Sequence, residues 1–433
     1  MKKFVSVALA TTMSLSILAA CGSEGGSGAA SETKKPAATA AAQASANPSD
    51  NVKGKVTFLT NRTDMIDKEY KDYAKRFKEK YPNADIEFEA IRDYDKNVKV
   101  RISTGDYPDI VLIPTIPNAD LPKYFAPLDD MGLNDKIYFK DFKATGGKLY
   151  GIAQGTNTSG IVYNKKAFAE AGITAVPKTL DEFYAASEKL KAKGMVPLAS
   201  NFKDKWPLSS WVWDLPTLIA GNAALGNDRV KSDTPYTLDG PYGKSMGILK
   251  TMQQKGYLEP DINSTNWEQS KKDVASGKFA MYYLGNWVIN QVIENGAKSE
   301  DIGFFPMPFD NSGKMMAPLS PDWFYGVNKN SKNLETAKAF LKWLIVDSGY
   351  DNFAGFIPVL KDKQPELKQL VEFKSYNPTF LEGVADSDQA VATQNKAQIE
   401  PQAIVQDFVL GDSKAIFDKY NKQWADAKKA LGY

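Results

Sequence analysis

Histidine is absent from the 433 residues, and cysteine occurs once, at Cys21. Without imidazole, the commonest general base, the commonest metal ligand and the usual partner of a nucleophilic serine are all missing. A lone cysteine excludes an intramolecular disulfide, a zinc–thiolate cluster and a cysteine nucleophile in the globular part. These gaps weigh against most hydrolases, though not against chemistry run by two carboxylates, and neither cofactor nor metal is expected. An excess of one charge is also lacking. The 54 Lys and Arg stand against 52 Asp and Glu, for a formal net charge of +2. With both signs interspersed, no basic stripe can track a phosphate backbone, so nucleic acid is not an expected partner. Past the N-terminus, long apolar runs are missing too; residues 279–284 are too few to cross a bilayer.

What is present begins with Lys2 and Lys3, an uncharged stretch over residues 4–18, and the small residues Ala19 and Ala20 before Cys21. This is the charged, apolar, small order of a secretion signal, so residues 1–20 are expected to be removed; the other reading is a packed helix of the folded domain. Leu18-Ala19-Ala20-Cys21 resembles the bacterial lipoprotein box, in which the cysteine sulfur receives a diacylglycerol group. Attachment to the outer face of the cell membrane by a lipidated Cys21 alone is therefore expected. Because one acyl chain holds only marginally, several are needed. Residues 21–52 then carry mainly Gly, Ser, Ala, Thr, Glu, Lys and Pro without apolar period. They read as a flexible tether spanning about 30 Å root-mean-square, or, around residues 37–46, as an Ala-rich helix of different reach.

From residue 53 onward the chain is too long for one core and calls for two domains. Its pattern is strand then helix, repeated: an apolar run at 56–59, helical spacing of Ile66, Tyr70, Tyr73, Ala74 and Phe77, alternation at 86–91, a short helix at 96–103, and a strand at 109–113. This βαβαβ order implies a mainly parallel sheet with helices on both faces. A second sheet begins near residues 160–163. Thr179 and Glu182 form a capping box opening a helix that stops at Gly194. Helix 242–255, strand 279–284, a helix from Trp287, strands 302–305 and 322–327 and the amphipathic helix 334–346 follow, with helices expected past Lys361.

At this point a family resemblance is carried by Pro108-Asp109-Ile110-Val111, by Gly160-Ile161-Val162-Tyr163-Asn164-Lys165 with Phe168-Ala169-Glu170-Ala171-Gly172, and by Thr179-Leu180-Asp181-Glu182-Phe183. Gly277-Lys278-Phe279-Ala280-Met281, Ile302-Gly303-Phe304-Phe305-Pro306-Met307-Pro308, Gly326-Val327-Asn328-Lys329-Asn330-Ser331 and Gly355-Phe356-Ile357-Pro358-Val359 continue it. In this joint order the chain resembles bacterial extracellular solute-binding lipoproteins of the carbohydrate type, which serve ABC importers. The resemblance implies an α/β, two-lobe periplasmic-binding-protein-like fold, each lobe a mainly parallel sheet flanked by helices, joined by hinge crossings near residues 156–159, 317–321 and 355–358. Residues 53–156 plus 320–355 are expected in the N-terminal lobe, and 157–319 plus 356–433 in the C-terminal lobe. It further implies a monomer, not an enzyme, with a small sugar ligand and membrane permease subunits as partners. The rivals are the same fold holding a peptide, polyamine or metal complex, a secreted carbohydrate-active enzyme working through two carboxylates, and an adhesive surface protein.

In open α/β sheets ligands sit beyond the carboxyl ends of strands. Asn61, Arg62 and Asp64 follow the first strand and could fix hydroxyl groups, but Asp64 can equally cap the next helix. Thr115, with Asn118, follows the third strand beside the turn-shaping Pro114 and Pro117. Sugars present apolar C–H faces that flat rings cover, and tryptophan offers the broadest ring. Among the eight tryptophans, Trp211, Trp213, Trp343 and Trp424 lie in helix-like stretches and read as core. Trp267 stands alone. Trp206 reads either way, Trp323 beside Asp322 is next to a crossing, and Asn157 lies in one. Asn286-Trp287 follows a strand directly, and the resemblance implies a sugar-stacking aromatic at Trp287.

Overall fold

The computed structural model describes residues 51–433; the leader, Cys21 and all of the expected tether but its last two residues lie outside them, and Val52 is buried in the first core, so the tether ends before it. The sequence patterns become two sheets, each with its own core. Strand Gly54–Thr60 pairs in parallel with Ala84–Ala90, placing Val56 opposite Ile86 and Phe58 opposite Phe88. Its other neighbour is Ile110–Leu112, followed by Phe324–Val327 and Ile152–Ala153. Helix Glu69–Lys80 makes the first crossover because Tyr70, Tyr73 and Phe77 recur on one face and bury there. Tyr70 stacks on Phe88 at 4.2 Å.

The second sheet runs Ile302–Phe305, Ser159–Asn164, Phe279–Gly285, Val196–Ala199. Every residue of its three longest-matched segments, 159–164, 279–285 and 302–305, is buried. Alternation explains this: Ile161, Tyr163, Met281 and Tyr283 face one apolar cluster, and Val162, Tyr282, Leu284 and Phe304 face another. A sheet covered on both faces needs unbroken apolar runs, which is how these segments read.

Each sheet is parallel except for one strand. Phe324–Val327 runs antiparallel to both its neighbours, and so does Ser159–Asn164. Both follow directly on segments that pair with each other between the sheets, where Asn157 lies opposite Ser320 and Thr156 opposite Pro321. Thr156 also exchanges backbone hydrogen bonds with Ile357, at 2.8 and 3.0 Å. Three stretches of chain thus lie side by side between the lobes. A strand entering a sheet from this side must run away from it, whereas the parallel strands end at it. Gly155 permits the close approach, since a Cβ there would fall 2.4 Å from the Phe356 ring.

The capping box is formed, with Thr179 accepting from the Glu182 N–H and Glu182 accepting from the Thr179 N–H. Helix Leu334–Val346 has the expected bounds. Three details differ. Asp64 caps nothing: the helix starts at Glu69, and Lys68 stands at its cap position. The region past Lys361 is not all helix, because Thr379–Glu382 adds a short, mostly exposed strand beside Met316–Pro321; four residues with no buried face leave no periodic signal. Finally, Val359 and Leu360 pack in the first core, and Tyr138 N–H donates to the Val359 carbonyl at 3.0 Å, so the chain stays with the first sheet beyond residue 358.

Candidate ligand-binding cleft

The ends of the parallel strands and the starts of the two reversed ones face the same side, so loops 61–64, 154–158, 200–206, 286–287 and 322–323 converge. Arg62 and Asp64 form a two-point pair, Nε to Oδ1 and Nη2 to Oδ2, both at 2.9 Å. Burial alone would raise the Asp64 pKa, but the hydrogen bonds and charge of Arg62 outweigh it and hold the carboxyl below its usual range. Burial would likewise lower the Arg62 pKa, and Asp64 with the phenol of Tyr350 more than offsets it. Asn61 sits half-buried beside this pair, its carbonyl accepting the Thr63 N–H at 3.1 Å.

Asp322 gathers three donors. It accepts from Gln154 Nε2 at 2.5 Å, from its neighbour Trp323 N–H at 2.7 Å, and from Asn157 Nδ2. Burial pushes its pKa up, and these donors and the Arg62 charge pull against that. Asn157 Oδ1 is buried with no protein partner. Asp214 is a second enclosed carboxylate, raised by burial and opposed by hydrogen bonds from Ser159 and Ser210; Ser159 Oγ donates to it at 2.6 Å.

The aromatic wall comes from three distant points in the chain. Trp206 and Trp267 meet edge to face with centroids 4.7 Å apart, and Trp287 lies 5.7 Å from Trp206 and 5.9 Å from Trp267. Trp287 packs against the cores of both lobes. Its indole folds back over Gly285, where a Cβ would fall 2.4 Å from Nε1. Lys271 stands 5.2 Å from the Trp267 ring, and its charge reaches Asp64 on the opposite lobe. Glu294 is raised by burial and lowered by Arg62. A chain of neighbours therefore runs from Asp322 through Arg62, Asp64 and Lys271 to the three tryptophans.

Of the residues picked from sequence, the fold brings Arg62, Asp64, Asn157, Asp322, Trp206 and Trp287 into this chain. Trp323 sits beside it, part-buried and edge-on to Tyr94 at 5.4 Å. Thr115 bonds none of these residues: its N–H donates to Asp95 at 2.7 Å and its carbonyl accepts from Asn395 of the opposite lobe at 3.4 Å. Asn286 presents nothing to the cleft. It is fully buried; its Oδ1 accepts the Thr158 N–H at 2.7 Å and its Nδ2 donates to the Gly355 carbonyl at 2.6 Å. It ties crossings together. Trp211, Trp343 and Trp424 are core, as expected, and Trp213, part-buried, packs against the second core and Arg229. Sequence reasoning missed Trp267, Lys271, Asp214 and Glu294; only Trp267, at the start of a helix capped by Asn266, carried a usable signal.

Among the described residues no helix is long and apolar enough to cross a membrane, and no cluster of acidic or cysteine side chains could hold a metal.

Comparison with known proteins gives a consistent result. The chain is 24% identical over 294 residues to the multiple sugar-binding protein of Streptococcus mutans, covering 66% of this chain and 69% of that one. Among solved structures it is similar to a binding protein of an ABC transporter from Bifidobacterium animalis subsp. lactis in complex with mannobiose, at 29% identity and a TM-score of 0.78, covering 89% of this chain and 96% of the other. A manno-oligosaccharide-specific solute-binding protein of the same organism, in complex with mannotriose, matches at 27% identity with the same TM-score and coverage. The two-lobe fold is theirs. The family described as bacterial extracellular solute-binding protein, a family of transporter components and not of enzymes, matches residues 62–350, and the chain belongs to it.

Proposed function

We propose that this protein captures a sugar or oligosaccharide between its two lobes and delivers it, chemically unaltered, to the permease of an ABC importer. The observation that carries the reading is the cluster of Trp206, Trp267 and Trp287, joined through Lys271 to a polar rim of Arg62, Asp64, Asn157 and Asp322. Rings cover the apolar faces of a pyranose, and paired donors and acceptors satisfy its hydroxyls. Each cation described at this rim is matched by an acid, Arg62 by Asp64 and Lys271 by Glu268 at 3.0 Å, which favours a neutral guest over an anion. The named ligands of the similar proteins, mannobiose, mannotriose and multiple sugars, support the same class.

Opening and closing about the three crossings is a pre-existing equilibrium, and the sugar moves it only as far as it binds the closed form better. The N-terminal lobe comprises the first sheet with residues 324–360, and the C-terminal lobe the second sheet with the helices after 367. The protein works as a monomer, and lipidation of Cys21 holds it on the outer face of the membrane. A thermal-shift screen of the soluble fragment against mono- and oligosaccharides tests the reading, since a ligand that binds only the native state raises the melting temperature. Mannobiose and mannotriose should raise it and be recovered intact. Absence of any shift across the panel, or turnover of the sugar, overturns the reading.

A further inference from the structure

The tryptophan wall hangs on an unusual piece of backbone. Between strand Val196–Ala199 and the turn carrying Trp206, two non-glycine residues adopt positive φ: Asn201 at 53° and Lys205 at 57°. L-residues visit this region rarely, and it persists only where surroundings over-determine it. Here they do. Glu259, 5% exposed, accepts the Ser200 N–H at 2.8 Å, the Ser200 hydroxyl at 2.6 Å and the Asn201 N–H at 2.9 Å. Asn201 Nδ2 donates to Ser270 Oγ at 2.9 Å, and Ser270 Oγ lies 2.5 Å from the Tyr282 hydroxyl. Gln406 Nε2 donates to the Phe202 carbonyl.

This network grips both tryptophan carriers. Ser270 belongs to helix Trp267–Ala275, and its hydroxyl also reaches the Trp267 carbonyl at 2.9 Å. Asp204, inside the strained loop, accepts the Trp267 N–H at 2.6 Å. Trp206, one residue past Lys205, is 38% exposed with its ring held edge-on to Trp267.

We propose that Glu259 is a positioning residue: it touches no ligand, and through Ser200 and Asn201 it fixes the loop that aims Trp206 at Trp267, so that the aromatic wall stands formed before a guest arrives. Preorganisation of this kind raises affinity by removing the ordering cost from the binding step. The proposal rests on reading the tryptophans as the sugar-facing wall, but its core claim concerns the ligand-free protein.

Two measurements on the mature chain test it. The first is near-ultraviolet circular dichroism without ligand: Glu259→Ala should lose the same indole band that Trp206→Ala removes, and Glu259→Gln, which keeps one acceptor oxygen for the two N–H groups, should retain most of it. An unchanged band in Glu259→Ala overturns the proposal whatever the ligand proves to be. The second is calorimetry with mannotriose. Glu259→Ala should weaken binding at least tenfold, yet add less than twofold in a Trp206→Ala background, because residues that act through one another are non-additive. Losses that multiply overturn the proposal. Should Glu259→Ala fail to fold, Ser270→Ala cuts the Asn201 link more mildly and must show the same non-additivity. Failure of the wild type to bind mannotriose counts against that sugar alone, and the ligand-free spectrum then decides the role of Glu259.

Discussion

The Asp388 carboxylate accepts the Asn118 N–H at 2.5 Å and the Ala119 N–H at 3.3 Å, tying helix Asp388–Ala397 to the turn Asn118–Asp120 that follows the third strand of the first sheet. The helix is set for this by Asn227, whose Oδ1 accepts the Ser387 N–H at 2.7 Å and whose Nδ2 donates to the Ala385 carbonyl at 2.9 Å. The contact crosses from one lobe to the other, so it favours the closed form. Asp388→Ala should enlarge the ligand-free radius of gyration and weaken sugar binding through faster release. A hydrogen bond to a charged group is discounted to about 1 kcal/mol when, as at Asp388, the group is exposed to solvent, so an affinity loss of roughly fivefold is expected. Small-angle scattering and stopped-flow dissociation read both; an unchanged radius and release rate remove Asp388 from closure.

Trp287→Ala should abolish the thermal shift given by sugar, with a loss of about 2–4 kcal/mol in binding free energy, the range of a central aromatic anchor. Gly285→Ala should have an effect in the same direction without touching the ring's chemistry, because the new methyl group meets Nε1 at 2.4 Å and the indole must swing away. Calorimetric titration checks both. Retention of full affinity in Gly285→Ala means that the indole's pose over the glycine is irrelevant to binding.

Asn286→Ala should act differently. It strips a buried N–H and a buried carbonyl of their partners, at about 1–3 kcal/mol for each group left unpaired. Differential scanning calorimetry should show a fall in melting temperature larger than expected from any change in sugar affinity. A large affinity loss with unchanged stability would instead put Asn286 in contact with ligand.

Acid should release the guest before it unfolds the protein. Burial raises the pKa of Asp322 and Asp214 above the ordinary 3.8, so both take up protons at a higher pH than an ordinary aspartate and cease to be full acceptors for hydroxyl donors. For stability the sign is opposite: a carboxyl that binds protons more tightly folded than unfolded makes the fold more stable as pH falls from its raised value toward 3.8. Asp64, held below 3.8, contributes stability that is full above 3.8 and lost only as pH drops through its lowered value. Titrations between pH 7 and pH 4 should therefore show affinity falling while the melting temperature holds. In Asp322→Asn the pH dependence should flatten; an undiminished slope there assigns it elsewhere.

The strands were legible because both faces of the second sheet are buried, so Phe279–Gly285 and Ile302–Phe305 are unbroken apolar runs. Helix ends were legible where a side chain closes them, as at Thr179 with Glu182. The cleft was half legible. Arg62, Asp322 and Trp287 were found because each adjoins a strand end, and a strand end is visible in sequence. Asn286 satisfied the same rule and misled, since position after a strand does not say whether an amide points at a guest or at a neighbouring crossing. Trp267, Lys271 and Glu294 lie on or at helices whose orientation comes only from tertiary packing. Thr379–Glu382 escaped because an exposed edge strand buries too little to leave a pattern.

One topological fact also bears on how the chain acquires its shape after synthesis. Gly326 is hydrogen-bonded neighbour to Val111, and the reversed segment Phe324–Val327 stands between Ile110–Leu112 and Ile152–Ala153. In chain order the earlier strands are available long before their missing neighbour is. Their unpaired edges are then open to wrong partners, the situation in which pairings distant in sequence make folding slow and aggregation-prone. Completion of the first sheet is thus timed by the arrival of residue 327, and a chaperone has its greatest effect in that interval.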